Sequence, residues 1–289
     1  MIMDYITKIK ANISIYSNKK TMNVLDGSYR SIYKGRSMNF EDLREYVMGD
    51  NVKDIDWKAS ARSGNLLVRQ FIAEKKHNIM IVMDTGKKML ADTKLNESKS
   101  NVALMSAGTI AYLANKNGDY VGSVYGKNNK ITYFPFKSDL NSIEKILTSY
   151  NKDIQTSSES SLQQSLEYIS KYVKKKMIIF VITDIDGIQN VQERTLKNLT
   201  TMHDVLFVNI TDADITNNMA FDVERELYIP KLIFSDKKLH ELESKLKEQI
   251  YKNWENKLKR YGIFMISLNS NKEIPTKVIE LLERHRVGK

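Results

Sequence analysis

Short apolar runs alternate with amphipathic stretches from residue 78 to the end of the chain. Runs that are continuous, brief and rich in β-branched residues are typical of buried strands, and they occur at 78–84, 177–183, 205–210 and 263–268. Apolar residues spaced three or four apart predict helices, and they occur in 98–118, 140–150, 161–173, 191–199, 236–259 and 275–286. Two more strands joined by a turn are predicted at 119–126 and 130–136.

Buried strands that alternate with helices predict an α/β protein with a doubly wound, mostly parallel sheet. In such sheets, ligands bind at the carboxyl ends of the strands, where the strand order reverses. Aspartates lie at the carboxyl ends of three of the predicted strands. They are Asp84 at the first, Asp184 and Asp186 at the second, and Asp212 and Asp214 at the third. If strands 78–84 and 177–183 are neighbours, Asp84 and Asp184 face each other across this crevice.

The first 76 residues differ in residue pattern from the rest of the chain, because they mix charges with aromatic residues and lack long apolar runs. We therefore predict two parts: an N-terminal segment, 1–76, that packs on the sheet, and a sheet domain, 77–289. Within the first part, the spacing of apolar residues in 39–47 predicts one or two helical turns, and Gly49 with Asp50 predicts a turn.

Composition narrows the class of protein. Apolar residues make up 42% of the 289 residues and charged residues 28%, which is ordinary for a soluble globular protein. The longest apolar run is about seven residues, well short of the roughly 20 that span a bilayer. With no cysteine, disulfides, thiol catalysis and zinc–thiolate sites are excluded. The N-terminus shows no signal-peptide pattern, so we expect a cytoplasmic protein without a membrane span.

The net charge of +10 raises the question of an anionic partner. The lysines are spread over the whole chain, mostly beside acidic residues, and the densest run, 174–176, directly precedes a predicted strand. Solvated surface lysines explain this distribution, so we predict no nucleic-acid partner. The four histidines are far apart, and no phosphate-binding glycine loop is present. We therefore expect no enzyme, and any ATP hydrolysis must come from a partner.

Residues 35–71 resemble the signature of a bacterial family, domain-of-unknown-function family fifty-eight. The matching positions are Phe40, Leu43-Arg44-Glu45-Tyr46, Gly49-Asp50, Lys53, Ile55-Asp56-Trp57 and Ser60-Ala61-Arg62. Lys53 departs from the signature, where arginine is more usual, and lysine lacks the planar fork of arginine.

The rest of the chain resembles the von Willebrand factor A fold, which members of that family carry after the signature. The resemblance rests on strand 78–84 ending in aspartate, the helix from 98, and strand 177–183 ending in Thr-Asp. It implies a partner or adaptor protein that works with MoxR-type AAA ATPases in assembling or activating an unknown client protein. It implies no particular reaction.

That fold often carries a metal-ion-dependent adhesion site, with the motif Asp-x-Ser-x-Ser, a threonine and a second aspartate. Oxygen ligands of this kind suit Mg²⁺. The resemblance places these positions at Asp84, Gly86, Lys88, Ser160 and Asp184. Both hydroxyls of the first loop are missing, so we predict a degenerate site without tight Mg²⁺ or another cofactor, although weak Mg²⁺ binding stays open. Either Lys87 or Lys88 takes the electrostatic role of the metal, or both lysines point to solvent.

The signature segment has two interpretations. In one it is structural, and Asp56, Trp57 and Arg62 hold it against the sheet through packing and buried arginine–carboxylate pairs. In the other it is a docking surface, for which Arg44, Tyr46 and Asp50 are the candidates. The overall hypothesis is a non-enzymatic protein-binding adaptor whose interaction face is the strand edge with Asp84, Lys88, Ser160 and Asp184. Its alternative is a Mg²⁺-dependent ligand binder or hydrolase at the Asp84 and Asp184 strand edge.

Overall fold

The computed structural model describes residues 4–16, 42–50, 52–70, 76–156, 159–216, 221–222, 227–228 and 237–288. The signature positions before residue 42, including Phe40, lie outside these ranges. The strands are β1 (Asp42–Glu45), β2 (Leu67–Gln70), β3 (Asn78–Met83), β4 (Tyr120–Lys127), β5 (Lys130–Lys137), β6 (Ile178–Thr183), β7 (Asp204–Ile210), β8 (Phe221–Asp222), β9 (Leu227–Tyr228) and β10 (Phe264–Leu268). The helices are α1 (Asp4–Tyr16), α2 (Trp57–Ser63), α3 (Lys99–Lys116), α4 (Leu140–Ile154), α5 (Leu162–Tyr172), α6 (Ile185–Gln189), α7 (Glu193–Thr200), α8 (Lys237–Lys259) and α9 (Ile274–Val287).

Six strands form the central sheet in the order β10-β7-β6-β3-β4-β5. Every neighbouring pair is parallel except the β4–β5 hairpin. The predicted α/β, doubly wound, mostly parallel sheet is therefore confirmed. Strands β3 and β6 are direct neighbours, so the aspartates that follow them come together at one edge.

Helices cover both faces of this sheet because its central strands are apolar on both sides. One apolar cluster lies between the sheet and helices α1, α3, α4 and α9. The other lies under α5, α7 and the C-terminal part of α8. In the ranges described above, no helix has the combination of length and apolar composition that a membrane crossing requires.

Helix α1 belongs to the first of these clusters, although it comes from the stretch without long apolar runs. Ile6, Ile9 and Ile13 are buried, and the buried carboxylate of Glu144 on α4 accepts the backbone N–H groups of Tyr5 at 3.0 Å and Ile6 at 2.9 Å. The first turn of a helix leaves such N–H groups without intrahelical partners, so Glu144 fixes the start of α1. The division of the chain at residue 76 stays a prediction.

One prediction from apolar spacing was wrong. Residues 42–45 form strand β1, which pairs with β2 in an antiparallel ladder, instead of a helix. There the pairing with a strand distant in sequence outweighed the local spacing. The predicted helix 236–259 is confirmed as α8, in which Leu258 is buried and Leu239, Leu242 and Leu246 are exposed.

Candidate functional site

Asp84 lies at the carboxyl end of β3 and is buried. Its Oδ1 accepts hydrogen bonds from the Gly86 backbone N–H at 2.9 Å and the Ser160 hydroxyl at 2.8 Å. Its Oδ2 accepts a hydrogen bond from the Thr183 hydroxyl at 2.7 Å. The structure thus brings Asp84, Gly86 and Ser160 together as the sequence predicted. It adds Thr183, which the sequence analysis placed at the end of its strand but did not assign to the site.

Asp184, at the end of the neighbouring strand β6, holds two groups. Its Oδ1 accepts the Gly187 N–H at 2.8 Å and so caps the short helix α6. Its Oδ2 accepts a hydrogen bond at 2.6 Å from the ammonium of Lys99, a fully buried side chain at the start of α3. The same ammonium also donates to Asp212, which follows β7. Lys99 therefore bridges the ends of two strands from inside the crevice.

The electrostatics of this cluster favour a charged Lys99. Burial alone would lower the pKa of Lys99, but Asp212 and Asp184 raise it above its ordinary value. Burial raises the pKa of Asp212, although the charge of Lys99 opposes this. Burial and the charge of Asp184 also raise the pKa of Asp84, against the hydrogen bonds from Gly86, Thr183 and Ser160. The crevice is thus acidic, with one internal positive charge.

The ammonium between these carboxylates comes from a residue that the sequence analysis did not single out. Lys88 lies on a short 3₁₀ segment and pairs with Asp186 at 2.6 Å, with both side chains partly exposed. Lys87 on the same segment is half-buried. Lys99 holds the place that we expected one of those two lysines to fill. The available signal was its position at the start of the first helix after β3, where a side chain can reach the carboxyl edge of the sheet.

The residues at this edge do not fit a divalent cation. A Cβ at Gly86, where the motif has its first serine, would lie 3.0 Å from the Ser160 Cβ, so this position has no room for a hydroxyl unless the neighbouring loop shifts. A cation between Asp184 and Asp212 would have to displace the Lys99 ammonium. Within the described ranges, no three carboxylate or imidazole side chains form a group that could hold a metal ion.

The signature segment forms a small unit around the β1–β2 ladder. Arg44 donates two hydrogen bonds to the Asp50 carboxylate, at 2.7 and 2.6 Å, and this pair braces the turn that contains Gly49 at φ 111°. The half-buried Tyr46 donates its backbone N–H to Leu66 at 2.8 Å. The two candidate docking residues Arg44 and Asp50 therefore bind each other in this structure.

The other signature residues correct part of the structural interpretation. Asp56 caps α2 by accepting the N–H groups of Lys58 and Ala59, each at 3.0 Å, and Ser60 accepts the Leu67 N–H at 2.8 Å. Trp57 was predicted to pack, but it is the first residue of α2 and 64% of it is exposed. Arg62 is also exposed, so the predicted buried arginine–carboxylate pair is not formed by this residue.

Comparison with known proteins identifies the family to which the chain belongs. A model of the family described as "Protein of unknown function DUF58" matches residues 42–217, more than half of the chain. The chain belongs to this family. Relatives of this DUF58 protein include "Uncharacterized protein Rv1480" of Mycobacterium tuberculosis and "Uncharacterized protein Mb1516" of Mycobacterium bovis. Each is 23% identical over 196 residues, 67% of this chain and 61% of the relative, so the chain spans less than two thirds of their length.

Several solved structures resemble the DUF58 chain at low identity. The conserved hypothetical protein BatB from Bacteroides thetaiotaomicron has a TM-score of 0.46 and 12% identity, covering 72% of this chain and 98% of that one. The SpRpn10 VWA domain scores 0.37 with 8% identity and coverage of 73% and 95%. A von Willebrand factor type A protein from Catenulispora acidiphila scores 0.39 with 9% identity and coverage of 74% and 43%. All three scores are below 0.5, so the α/β assignment rests on the strand order.

The carboxylate of Glu243 on helix α8 binds the loop after β7 in the DUF58 protein. Glu243 accepts the backbone N–H groups of Ile215 at 2.7 Å and Thr216 at 2.9 Å, and it pairs with Lys247 at 2.8 Å. Burial alone would raise the pKa of Glu243, but the hydrogen bonds from Lys247 and Thr216 lower it from 4.5 to about 2.

This lowered pKa predicts a specific acid sensitivity. Because the folded pKa lies below the unfolded value, ionised Glu243 contributes stability above about pH 4.5, and that contribution is lost as the pH falls toward 2. We expect the unfolding free energy of Glu243→Gln to fall less steeply than that of the unmodified protein between pH 5 and 3. Urea unfolding across this range measures it, with the exposed Glu241→Gln on the same helix as control. Equal slopes for all three proteins would contradict the assignment.

Proposed function

We propose that this DUF58 protein is a non-enzymatic, cytoplasmic adaptor that binds a MoxR-type AAA ATPase and takes part in assembling or activating a client protein. The observation that carries the proposal is Lys99, which supplies an internal cation at the strand edge where the von Willebrand factor A fold often places Mg²⁺. An edge with a built-in cation is suited to binding that needs no metal, and it lacks the open coordination position that metal-assisted hydrolysis uses.

The signature unit supports the protein-binding part of the proposal. It exposes several large apolar side chains within 25 residues, namely Leu43, Val47, Met48, Val52, Trp57 and Leu66. Exposed apolar groups concentrated in this way are typical of protein interaction sites, and tryptophan is enriched among the residues that dominate binding energy. We assign this unit to the contact with the ATPase and the Lys99 edge to the degenerate metal site.

Metal titration tests the degenerate site and separates the adaptor from its alternative, a Mg²⁺-dependent ligand binder or hydrolase. Calorimetry with Mg²⁺ and Mn²⁺ should give no binding tighter than about 100 µM, which corresponds to about −5.5 kcal/mol. The variant Lys99→Ala tests the opposite case. It leaves Asp184 and Asp212 without the ammonium, and it should bind Mn²⁺ more tightly than the unmodified protein. Tight binding to the unmodified protein would favour the alternative function.

Capture of the ATPase tests the adaptor role separately. The full chain should retain a MoxR-type ATPase from a lysate of its own cells, and Trp57→Ala should reduce the retained amount at least tenfold while leaving the unfolding free energy within about 0.5 kcal/mol, since Trp57 is mostly exposed. The matched control is Tyr172→Ala, an aromatic residue of similar exposure on α5. Equal loss in both variants, or no ATPase in any sample, would count against this role.

A further inference from the structure

A cavity of about 400 Å³ lies beside the Lys99 cluster, between helix α8 and the carboxyl ends of β7 and β10. Its volume is within the range of small-ligand sites, which in α/β sheets form at this edge. Asp212, which accepts a hydrogen bond from Lys99, borders it, and Asn209 and Ser267 line its floor. The cavity does not include Asp84 or Ser160, and Asp212 is the residue that it shares with the Lys99 cluster.

The floor of the cavity belongs to a polar row that crosses three strands. Thr183, Asn209 and Ser267 are register partners on β6, β7 and β10. Two residues earlier on the same strands, the corresponding row is Val181, Phe207 and Met265, which is entirely apolar and buried. The change from apolar to polar side chains on one face marks the point where the core ends and the cavity begins.

Asn209 carries an unused acceptor in this row. The residue is 4% exposed, and its Nδ2 donates to the Ser267 hydroxyl at 2.9 Å. Its Oδ1 is buried and has no hydrogen-bond partner in the described part of the chain. Buried polar atoms are nearly always paired, and one left unpaired is costly. A ligand that donates a hydrogen bond would satisfy this oxygen.

The remaining lining selects the chemical class of that donor. The Asp212 carboxylate is 37% exposed although Lys99 holds it from the buried side, so it offers a second, charged acceptor. Ile185, Ile250 and Tyr251 form apolar walls. Acceptors at one end and apolar walls along the sides match a cation on an alkyl stem, as in an arginine or lysine side chain.

The lysines at the rim do not favour an anion instead. Lys94 and Lys247 both face the buried carboxylate of Asp214, at 3.4 and 2.9 Å. Lys247 also pairs with Glu243 at 2.8 Å. Their positive charges are therefore balanced locally, and the exposed carboxylate of Glu248 in the lining pairs with Lys252 at 2.6 Å.

We propose that this cavity binds an alkyl guanidinium or alkyl ammonium group, with its head at Asn209 and Asp212 and its stem against Ile185 and Tyr251. The group belongs either to a basic side chain of a partner protein or to a free small amine, which share this chemistry. The site does not depend on the adaptor role, because its contacts come from the fold alone.

Titration of the full chain with small probes, followed by nitrogen-15 NMR, tests the chemistry. The probes are N-acetyl-arginine amide, its uncharged analogue N-acetyl-citrulline amide, and N-acetyl-glutamate amide. We expect the arginine probe to bind at least tenfold more tightly than the citrulline probe, with shifts centred on Asn209 and Ser267. Equal binding of the arginine and citrulline probes, or stronger binding of the glutamate probe, would overturn the proposal. Agmatine separates the two sources, since a tenfold preference for agmatine indicates a free amine and the reverse indicates a side chain.

Variants on one helix show whether the binding is in this cavity. Ser244→Phe fills the cavity from α8, and Gln249→Phe introduces the same ring on an exposed position of α8 outside the lining. We expect the first to weaken binding of the arginine probe at least tenfold and the second to leave it unchanged. Asn209→Leu, which keeps the volume and removes the acceptor, should weaken binding as well. Unchanged affinity in both Ser244→Phe and Asn209→Leu would refute the site.

Discussion

Replacing Lys99 with methionine is expected to lower the free energy of unfolding by about 3 to 5 kcal/mol, the range measured when one member of a buried ion pair is removed. Methionine keeps the length and apolar stem of lysine, so the main loss is the ammonium. Asp184 and Asp212 would then face each other without the charge that now lies between them. Urea unfolding followed by circular dichroism measures the change.

The chain supplies its own control for this experiment. Lys88 and Asp186 are also 2.6 Å apart, but about half of the Lys88 side chain is exposed. Exposed pairs contribute about 0 to 1 kcal/mol, so Lys88→Met should have a small effect. Adding Asp184→Asn to Lys99→Met should recover part of the lost stability, because it removes one of the unpaired charges. Similar losses for Lys88→Met and Lys99→Met would show that burial is not what gives Lys99 its importance.

Gly187→Ala is expected to be the second most damaging change, with a loss of about 1 to 3 kcal/mol or more. A Cβ at this position would lie 1.9 Å from the Thr183 hydroxyl and 2.6 Å from Oδ2 of Asp84. Neither group can move freely, because the two are hydrogen-bonded to each other at 2.7 Å. Helix α6 would have to retreat from the strand edge, and its capping bond from Gly187 to Asp184 would lengthen.

The stability loss of Gly86→Ala provides a comparison for the loss expected of Gly187→Ala. Its Cβ would lie 3.0 Å from the Ser160 Cβ, a milder conflict that a small loop shift relieves, so we expect a smaller loss of stability. Thermal and urea unfolding of both variants measure the order. A loss for Gly86→Ala that exceeds the loss for Gly187→Ala would show that the Ser160 loop, and not α6, is the tighter boundary of the site.

The sheet was predictable from sequence because β3, β6 and β7 are short apolar runs separated along the chain by helical stretches. The meeting of Asp84 and Asp184 followed from the same pattern, since carboxyl ends of neighbouring parallel strands share an edge. The role of Lys99 was not predictable in this way. A lysine in the first turn of a helix is ordinarily solvated, and only the arrival of Asp212, after a strand more than 100 residues later, gives its ammonium a second carboxylate partner.

Short segments were the second place where prediction from sequence failed. The apolar spacing in residues 39–47 fits a helix, yet pairing with β2 makes 42–45 a strand, and a few residues of spacing cannot oppose such a ladder. Trp57 shows the same limit for burial, because a large aromatic residue usually packs and this one is mostly exposed. Both errors lie in the signature unit, where few residues are buried.

Helix α1 has a practical consequence for anyone who shortens this chain. The family match begins at residue 42, so a fragment cut there would look complete by homology. It would nevertheless lack the buried side chains of Ile6, Ile9 and Ile13. Ile9 packs on Gly108 of α3 so closely that a methyl group on Gly108 would not fit, and the fragment would leave this glycine uncovered. The uncovered apolar strip between α3 and α4 would make such a fragment prone to aggregate, or to recruit the missing helix from an intact neighbour by domain swapping.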